Sequence, residues 1–241
     1  MYDGISQDSF VRSAHITIGG SPDTGNHLEG LVGGIDMETL ESSVVEISYN
    51  ESSGSFSGMW IVPWVGPFVS TSPTRYLIHD NKFFNTGQFA PCLFLVDNLT
   101  NPWIKAAIWD NDVKVQNSLS GGIIVENTKG TATWNNFIAG SNGLEAVGLF
   151  SSALDTLINN NVSGFTIDGT VGAAQIYLDP STTYDLVLCT GPSDTVLNQG
   201  TNNLVIGCQQ LGAASKSVSA ADSINKRRLD LPKGKPWFRQ P

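Results

Sequence analysis

One short phrase, recurring four times between Arg75 and Gly164, constrains this chain more than any other feature. It reads Ile78-His-Asp-Asn81, Ile108-Trp-Asp-Asn111, Thr133-Trp-Asn-Asn136 and Leu157-Ile-Asn-Asn160. An apolar residue follows two positions after each final Asn, at Phe83, Val113, Ile138 and Val162, and the phrases lie 30, 25 and 24 residues apart. Self-similarity at that interval predicts a solenoid, in which each repeat buries its apolar side only against its neighbours.

A second set of segments runs in step with the first. Leu93-Phe-Leu-Val-Asp97, Ile123-Ile-Val-Glu126, Val147-Gly-Leu-Phe-Ser151 and Gln175-Ile-Tyr-Leu-Asp179 are short apolar runs, each closed by a polar residue. Their length suits strands and is too short for helices. Short strands with Asn and Gly at the corners describe a coiled parallel sheet. Equivalent strands then lie about 4.8 Å apart, so a recurring Asn stacks on its own copies and can bond its amide above and below while tolerating a tight corner. This predicts a structural role for Asn81, Asn111, Asn136 and Asn160.

The phrases Trp109-Asp-Asn-Asp-Val113, Trp134-Asn-Asn-Phe-Ile138 and Ile158-Asn-Asn-Asn-Val162 resemble the repeats of right-handed parallel β-helix proteins, the pectate-lyase-like superfamily. The resemblance covers residues 44 to 210. It implies an all-β fold, a right-handed single-stranded parallel β-helix (β-solenoid) of about seven turns. It also implies an extracellular or cell- or virion-surface location. It does not select an activity, because one fold serves many functions.

Length and charge refine this expectation. At 241 residues the chain accommodates one β-helix domain over residues 1–212 and a basic polar tail over 213–241. Residues 1–215 hold 20 acidic and 6 basic side chains, and residues 216–241 hold 2 and 7. The tail, with Lys226-Arg-Arg228, Pro232 and Pro236, has little apolar surface to bury and is expected to be disordered or loosely packed. The acidic body argues against nucleic acid as a partner. No segment is long and apolar enough to insert in a membrane, and no signal peptide is visible. Sequons at Asn50, Asn98 and Asn161 fit secretion without deciding it. Cys189 and Cys208 are 19 residues apart, which suits adjacent turns either as a disulfide or as stacked buried thiols, and leaves Cys92 unpaired.

Along the chain, Ala14–Ile18 reads as a strand, Gly30–Gly34 as a corner, and Val45, Ile47 and Tyr49 as one face of a further strand. Met59–Val62 opens the first clear turn, and Asn50 stands where the regular Asn column can begin. Pro63–Pro67 and Asn98–Lys105 read as outward loops, because proline cannot donate to a central ladder. Beyond Gly164 the Asn-column register continues through Asp185 and Asn203, with a tightening interval.

Candidate chemistry lies in two groups of carboxylates. Asp97, Glu126 and Asp179 close the second strands, with Ser151 between them; stacked, they suit a Ca²⁺ site or a raised carboxyl pKa. Asp80, Asp110 and Asp112 stand at the Asn corners beside His79. The superfamily resemblance implies lyase- or epimerase-like chemistry, in which Ca²⁺ on carboxylates acidifies a sugar proton and an Arg or Lys removes it. No family motif selects the residues, and the candidates in this chain are the carboxylates Asp97, Glu126 and Asp110 with Arg75, Lys82 or Lys105 as the base. The Asp-Asp, Gly-His-Gly and Arg-Ile-Lys phrases of polygalacturonase-like hydrolases are absent. Trp109 and Trp134 share one position in successive phrases, with His79 one turn earlier and Trp103 and Trp64 in predicted loops. Facing outward, these rings form a ladder for sugars; facing inward, they are core. The expected function is binding or modification of polysaccharide along one side of the coil. The alternative is a non-catalytic structural or adhesive module of a surface fibre or tailspike, with self-association into a homo-oligomer.

Overall fold

The computed structural model describes residues 3–7, 11–37, 40–61, 73–85, 91–97, 104–116, 121–140, 145–165, 175–191 and 193–211. The predicted loop residues Trp64 and Trp103, the sequon at Asn98 and the tail 213–241 lie outside them. All regular structure among the described residues is strand, every pairing is parallel, and the chain winds as a right-handed β-helix.

Three faces make the coil. Face one stacks eight strands, His15–Gly19, Val44–Ser48, Thr74–His79, Ile104–Trp109, Ala132–Trp134, Thr156–Ile158, Leu186–Leu188 and Leu204–Ile206. Face two follows it round the first corner with Lys82–Asn85, Asp112–Val115, Phe137–Gly140 and Asn161–Ser163. Face three comprises Leu93–Val96, Ile123–Glu126, Val147–Phe150, Ile176–Leu178, Thr195–Asn198 and Gln209–Leu211. The second corner leads back to face one.

Alternation decides what each strand buries. In Ile104–Trp109 the residues Ile104, Ala106 and Ile108 are buried while Lys105, Ala107 and Trp109 are half-buried on the outer side. Because the register is in step from turn to turn, like stacks on like. Ile47, Ile78 and Ile108 form one interior column, and Leu95, Val125, Leu149 and Leu178 form another. All seven are fully buried.

The first corner carries the predicted asparagine ladder. The side-chain amide of Asn50 donates to Asn81 Oδ1 at 3.0 Å, Asn81 to Asn111 at 3.0 Å, Asn111 to Asn136 at 2.9 Å and Asn136 to Asn160 at 2.8 Å. Each acceptor Oδ1 also takes the backbone N–H of the Asn one turn earlier. The column starts one turn before Asn50, because Asn26 donates to Asn50 Oδ1 at 2.8 Å. Asn50 is buried and its Nδ2 is committed to this network, so its sequon is not open to a glycan.

Three expectations change. Gly30–Gly34 is no corner, but part of the continuous strand His27–Met37, and the Ser- and Gly-rich stretch before Met59 lies inside Glu51–Ile61. These two strands bend from face two into face three without a break, with register shifts between Glu29 and Gly33. The small residues allow it: a Cβ at Gly34 would run into Ser52 Oγ and the Gly58 carbonyl. Regular coiling therefore begins well before Met59. Asp185 and Asn203 belong to the second corner, and they stack with Asp155 rather than with Asn160. In the Asn-ladder position after Leu186–Leu188 stands Thr190, and the chain passes directly to Thr195–Asn198 on face three. The coil tightens there because face two has ended. Cys189 and Cys208 are bridged across these last two turns, while Cys92 is buried and takes no part in a disulfide.

Candidate functional site: the outer ridge of the first corner

Five successive face-one strands, from Val44–Ser48 to Thr156–Ile158, end in the same three-residue device. The last strand residue points outward, the next adopts a left-handed conformation, and the third is the buried ladder Asn. The left-handed residues are Tyr49, Asp80, Asp110, Asn135 and Asn159, with φ between 51° and 59°. Asp and Asn tolerate this region better than other residues with a Cβ. Asp80, Asp110, Asn135 and Asn159 are exposed, so successive turns present a row of carboxylate and amide groups.

Beside this row runs the ring column. Register places Ser48, His79, Trp109, Trp134, Ile158, Leu188 and Ile206 one above another on the outer side of face one. The direction left open by the sequence is thus outward. His79 and Trp109 stack with centroids 4.2 Å apart, and Trp109 and Trp134 lie 5.1 Å apart with planes within 1°. Ring faces therefore cover one another, and solvent meets ring edges. A sugar cannot lie flat on the middle of this stack; it can lie across the edges while its hydroxyls reach the Asx row. The imidazole of His79 is held by hydrogen bonding between Nδ1 and Asp80 Oδ2 at 2.8 Å, with Glu46 Oε1 3.5 Å from Nε2.

The register separates the other predicted site residues. Arg75 and Lys105 are neighbours across the ladder, but at the opposite end of face one. Four residues of strand, about 13 Å, separate Lys105 from Trp109, so this pair does not meet Asp80 or Asp110. Glu126 pairs with Val96 and Phe150. Asp97 falls one position later, donating its N–H to the Glu126 carbonyl, and its fully buried Oδ2 accepts the Ile104 N–H at 3.1 Å. Asp179 lies two turns from Glu126, with Phe150 between, and its Oδ1 accepts N–H bonds from Ser151 and Ser181. The three carboxylates do not gather at one point. Among the described residues no group of three or more His, Cys, Asp or Glu side chains is placed to hold a metal ion. These donors do not fit a shared Ca²⁺.

Two features escaped the sequence reading. The exposed member of each Asx-Asn pair was legible as a repeat, but its outward direction depends on the left-handed corner. The other is Glu145, on the approach to Val147–Phe150: it is 8% exposed, and burial pushes its carboxyl up to about 7. Nothing periodic marks it. Comparison with family models, curated proteins and solved structures finds no match to this chain.

Proposed function

We propose that this β-helix binds a hydroxyl-rich polysaccharide along the outer ridge of its first corner. The observation that carries this reading is the pairing, turn after turn, of an outward ring with an exposed left-handed Asp or Asn: His79 with Asp80, Trp109 with Asp110, Trp134 with Asn135. Aromatic edges supply apolar contact beside carboxylate and amide acceptors, and the turns repeat at about 4.8 Å. A polymer can therefore make the same contact repeatedly, and affinity accumulates along the coil. The reading covers recognition rather than cleavage, because Arg75 and Lys105 lie far along the strand from the corner carboxylates. The Cys189–Cys208 bridge supports an oxidising, extracellular setting, and kinship with the pectate-lyase-like superfamily remains part of the proposal.

A second reading, a structural or adhesive module that self-associates, draws on Ile158, Leu188 and Ile206. They continue the ring column as an apolar strip, and Ile206 is 48% exposed.

Affinity electrophoresis against neutral and acidic polysaccharides tests the first reading. Asp80→Gly and Asp110→Gly remove the acceptors without straining the left-handed backbone. Each is expected to weaken retention by about tenfold on a neutral polymer. Unchanged retention, or no retention of wild type by any polymer, overturns it. Concentration-dependent sedimentation that Ile206→Ser abolishes would favour the self-associating module.

A further inference from the structure

The coil ends on face three, over an apolar column. On the outer side of that face Phe94, Ile124, Gly148, Tyr177, Leu197 and Leu211 stack in register, and Leu211 is the last described residue. A second outer column runs beside it, in which Phe150 stands between Glu126 one turn earlier and Asp179 one turn later. All three are half-buried, and the Phe150 ring lies 5.3 Å from that of Tyr177.

Acceptors on this surface outnumber the donors that the body supplies. The Glu126 side chain makes no hydrogen bond or ion pair among the described residues, and Asp179 uses only Oδ1, for the Ser151 and Ser181 N–H groups. Glu145 packs with Ile124 and Phe150 over Gly148; it is 8% exposed, and its carboxyl too has no hydrogen-bond partner among the described residues. Between Lys129 and Lys216 the chain carries six acidic side chains and no Lys or Arg. The next cations in sequence are those of residues 216–241, seven against two acids.

We propose that the basic C-terminal segment docks on this surface of its own chain, with Lys226-Arg-Arg228 on the column of Glu126, Phe150 and Asp179. The reach is ample. Glu126 lies four turns from Leu211, about 19 Å along the coil, and the fifteen residues from Gly212 to Lys226 can span about 50 Å. Glu126 and Asp179 are two turns, about 10 Å, apart, while Lys226 and Arg228 on extended backbone are about 7 Å apart. Their long side chains thus meet the two carboxylates, and Arg227 lies on the Phe150 ring between them. Leu229 and Leu231 then cover the neighbouring apolar column. Little intrinsic affinity is needed, because a tethered segment is present at millimolar effective concentration.

Zero-length carbodiimide cross-linking of the full chain tests this contact, with unlabelled and isotope-labelled protein mixed and the products mapped by mass spectrometry. The expected links join Lys226 to Glu126 or Asp179 within chains of one label. Links between labels overturn intrachain docking in favour of a second copy's tail. Links from Lys226 only to other carboxylates, or none, overturn the site. Tryptic cleavage at Lys226-Arg-Arg228 gives a second readout, because its rate follows the undocked population. Glu126→Gln/Asp179→Asn, which keeps the acceptor for Ser151 and Ser181, is expected to speed cleavage about tenfold. Asp80→Gly, on the ridge, is expected to leave it unchanged. Equal rates in wild type and the double variant overturn the proposal, as does an equal gain in Asp80→Gly, which would indicate general charge attraction. Far-UV circular dichroism of each variant establishes that its coil is intact.

Discussion

The two polar corners of this coil solve one problem with different chemistry. At the first, six asparagines stack from Asn26 to Asn160, and each amide from Asn50 onward both donates and accepts, so turns can be added without an orphaned group. At the second, Asp155, Asp185 and Asn203 stack, and a carboxylate only accepts. Asp155 takes the Thr131 N–H at 2.7 Å and the Thr128 hydroxyl at 2.9 Å, and its own N–H goes to Asp185 Oδ1 at 2.8 Å. Both carboxylates are fully buried. Burial pushes the Asp155 carboxyl above its usual range, against the lowering effect of its hydrogen bonds. An amide column is neutral and extensible; a carboxylate column depends on proton uptake.

Breaking the amide column in its middle is expected to have the largest effect. Asn111→Ala removes the acceptor for the Asn81 N–H and side-chain amide, together with the donor to the Ile78 and Trp109 carbonyls and Asn136. We expect a loss of about 4 kcal/mol in urea-induced unfolding; a loss under about 1 kcal/mol would mean that the column is held by its neighbours' packing.

Next in size is the response to pH. Glu145 and Asp155 bind their protons more tightly folded than unfolded. Their stabilising contribution is thus fully present below the ordinary carboxylate range and is lost as pH rises, for Glu145 through about 7. For Glu145 this amounts to roughly 3 kcal/mol between about pH 4 and about pH 8, and Glu145→Gln should remove it. A flat stability profile in wild type would contradict both assignments.

Asp155→Asn converts one member of the second corner to the chemistry of the first. A gain of about 1–2 kcal/mol at about pH 8, with none at low pH, is expected; a loss at both would show that the carboxylate is preferred for its geometry. The smallest effect belongs to the end of the amide column. Asn26 is only half-buried and donates to a single side chain, Asn50, so Asn26→Ala should cost about 1 kcal/mol. A cost equal to that of Asn111→Ala would mean that the ladder is cooperative along its whole length.

How legible these corners were in the sequence follows the same chemistry. The Asx-Asn phrases announced themselves because an amide column works best with one residue type, whereas the second corner mixes Thr131, Asp155, Asp185 and Asn203, and two of these, Asp185 and Asn203, were assigned to the wrong column. Asn26 carried the signal of an apolar residue two positions on, Leu28, but Gly25 stands where other copies have Asp or Asn. The carboxylates Asp97, Glu126 and Asp179 were grouped by their shared place after an apolar run. A one-residue difference in register put Asp97 into another column, and in a parallel ladder such a slip reverses the side a residue faces.

Repetition alone determined that this chain coils, because a residue type recurring at each turn has to meet its own copies about 4.8 Å away. It determined the strand identity of the repeats and the buried amide column as well. Only the tertiary structure decided which way the rings face, that their faces are spent on one another, which cysteines are bridged, and where face two stops. Those outcomes depend on the conformation of single corner residues and on register across turns, neither of which periodicity encodes.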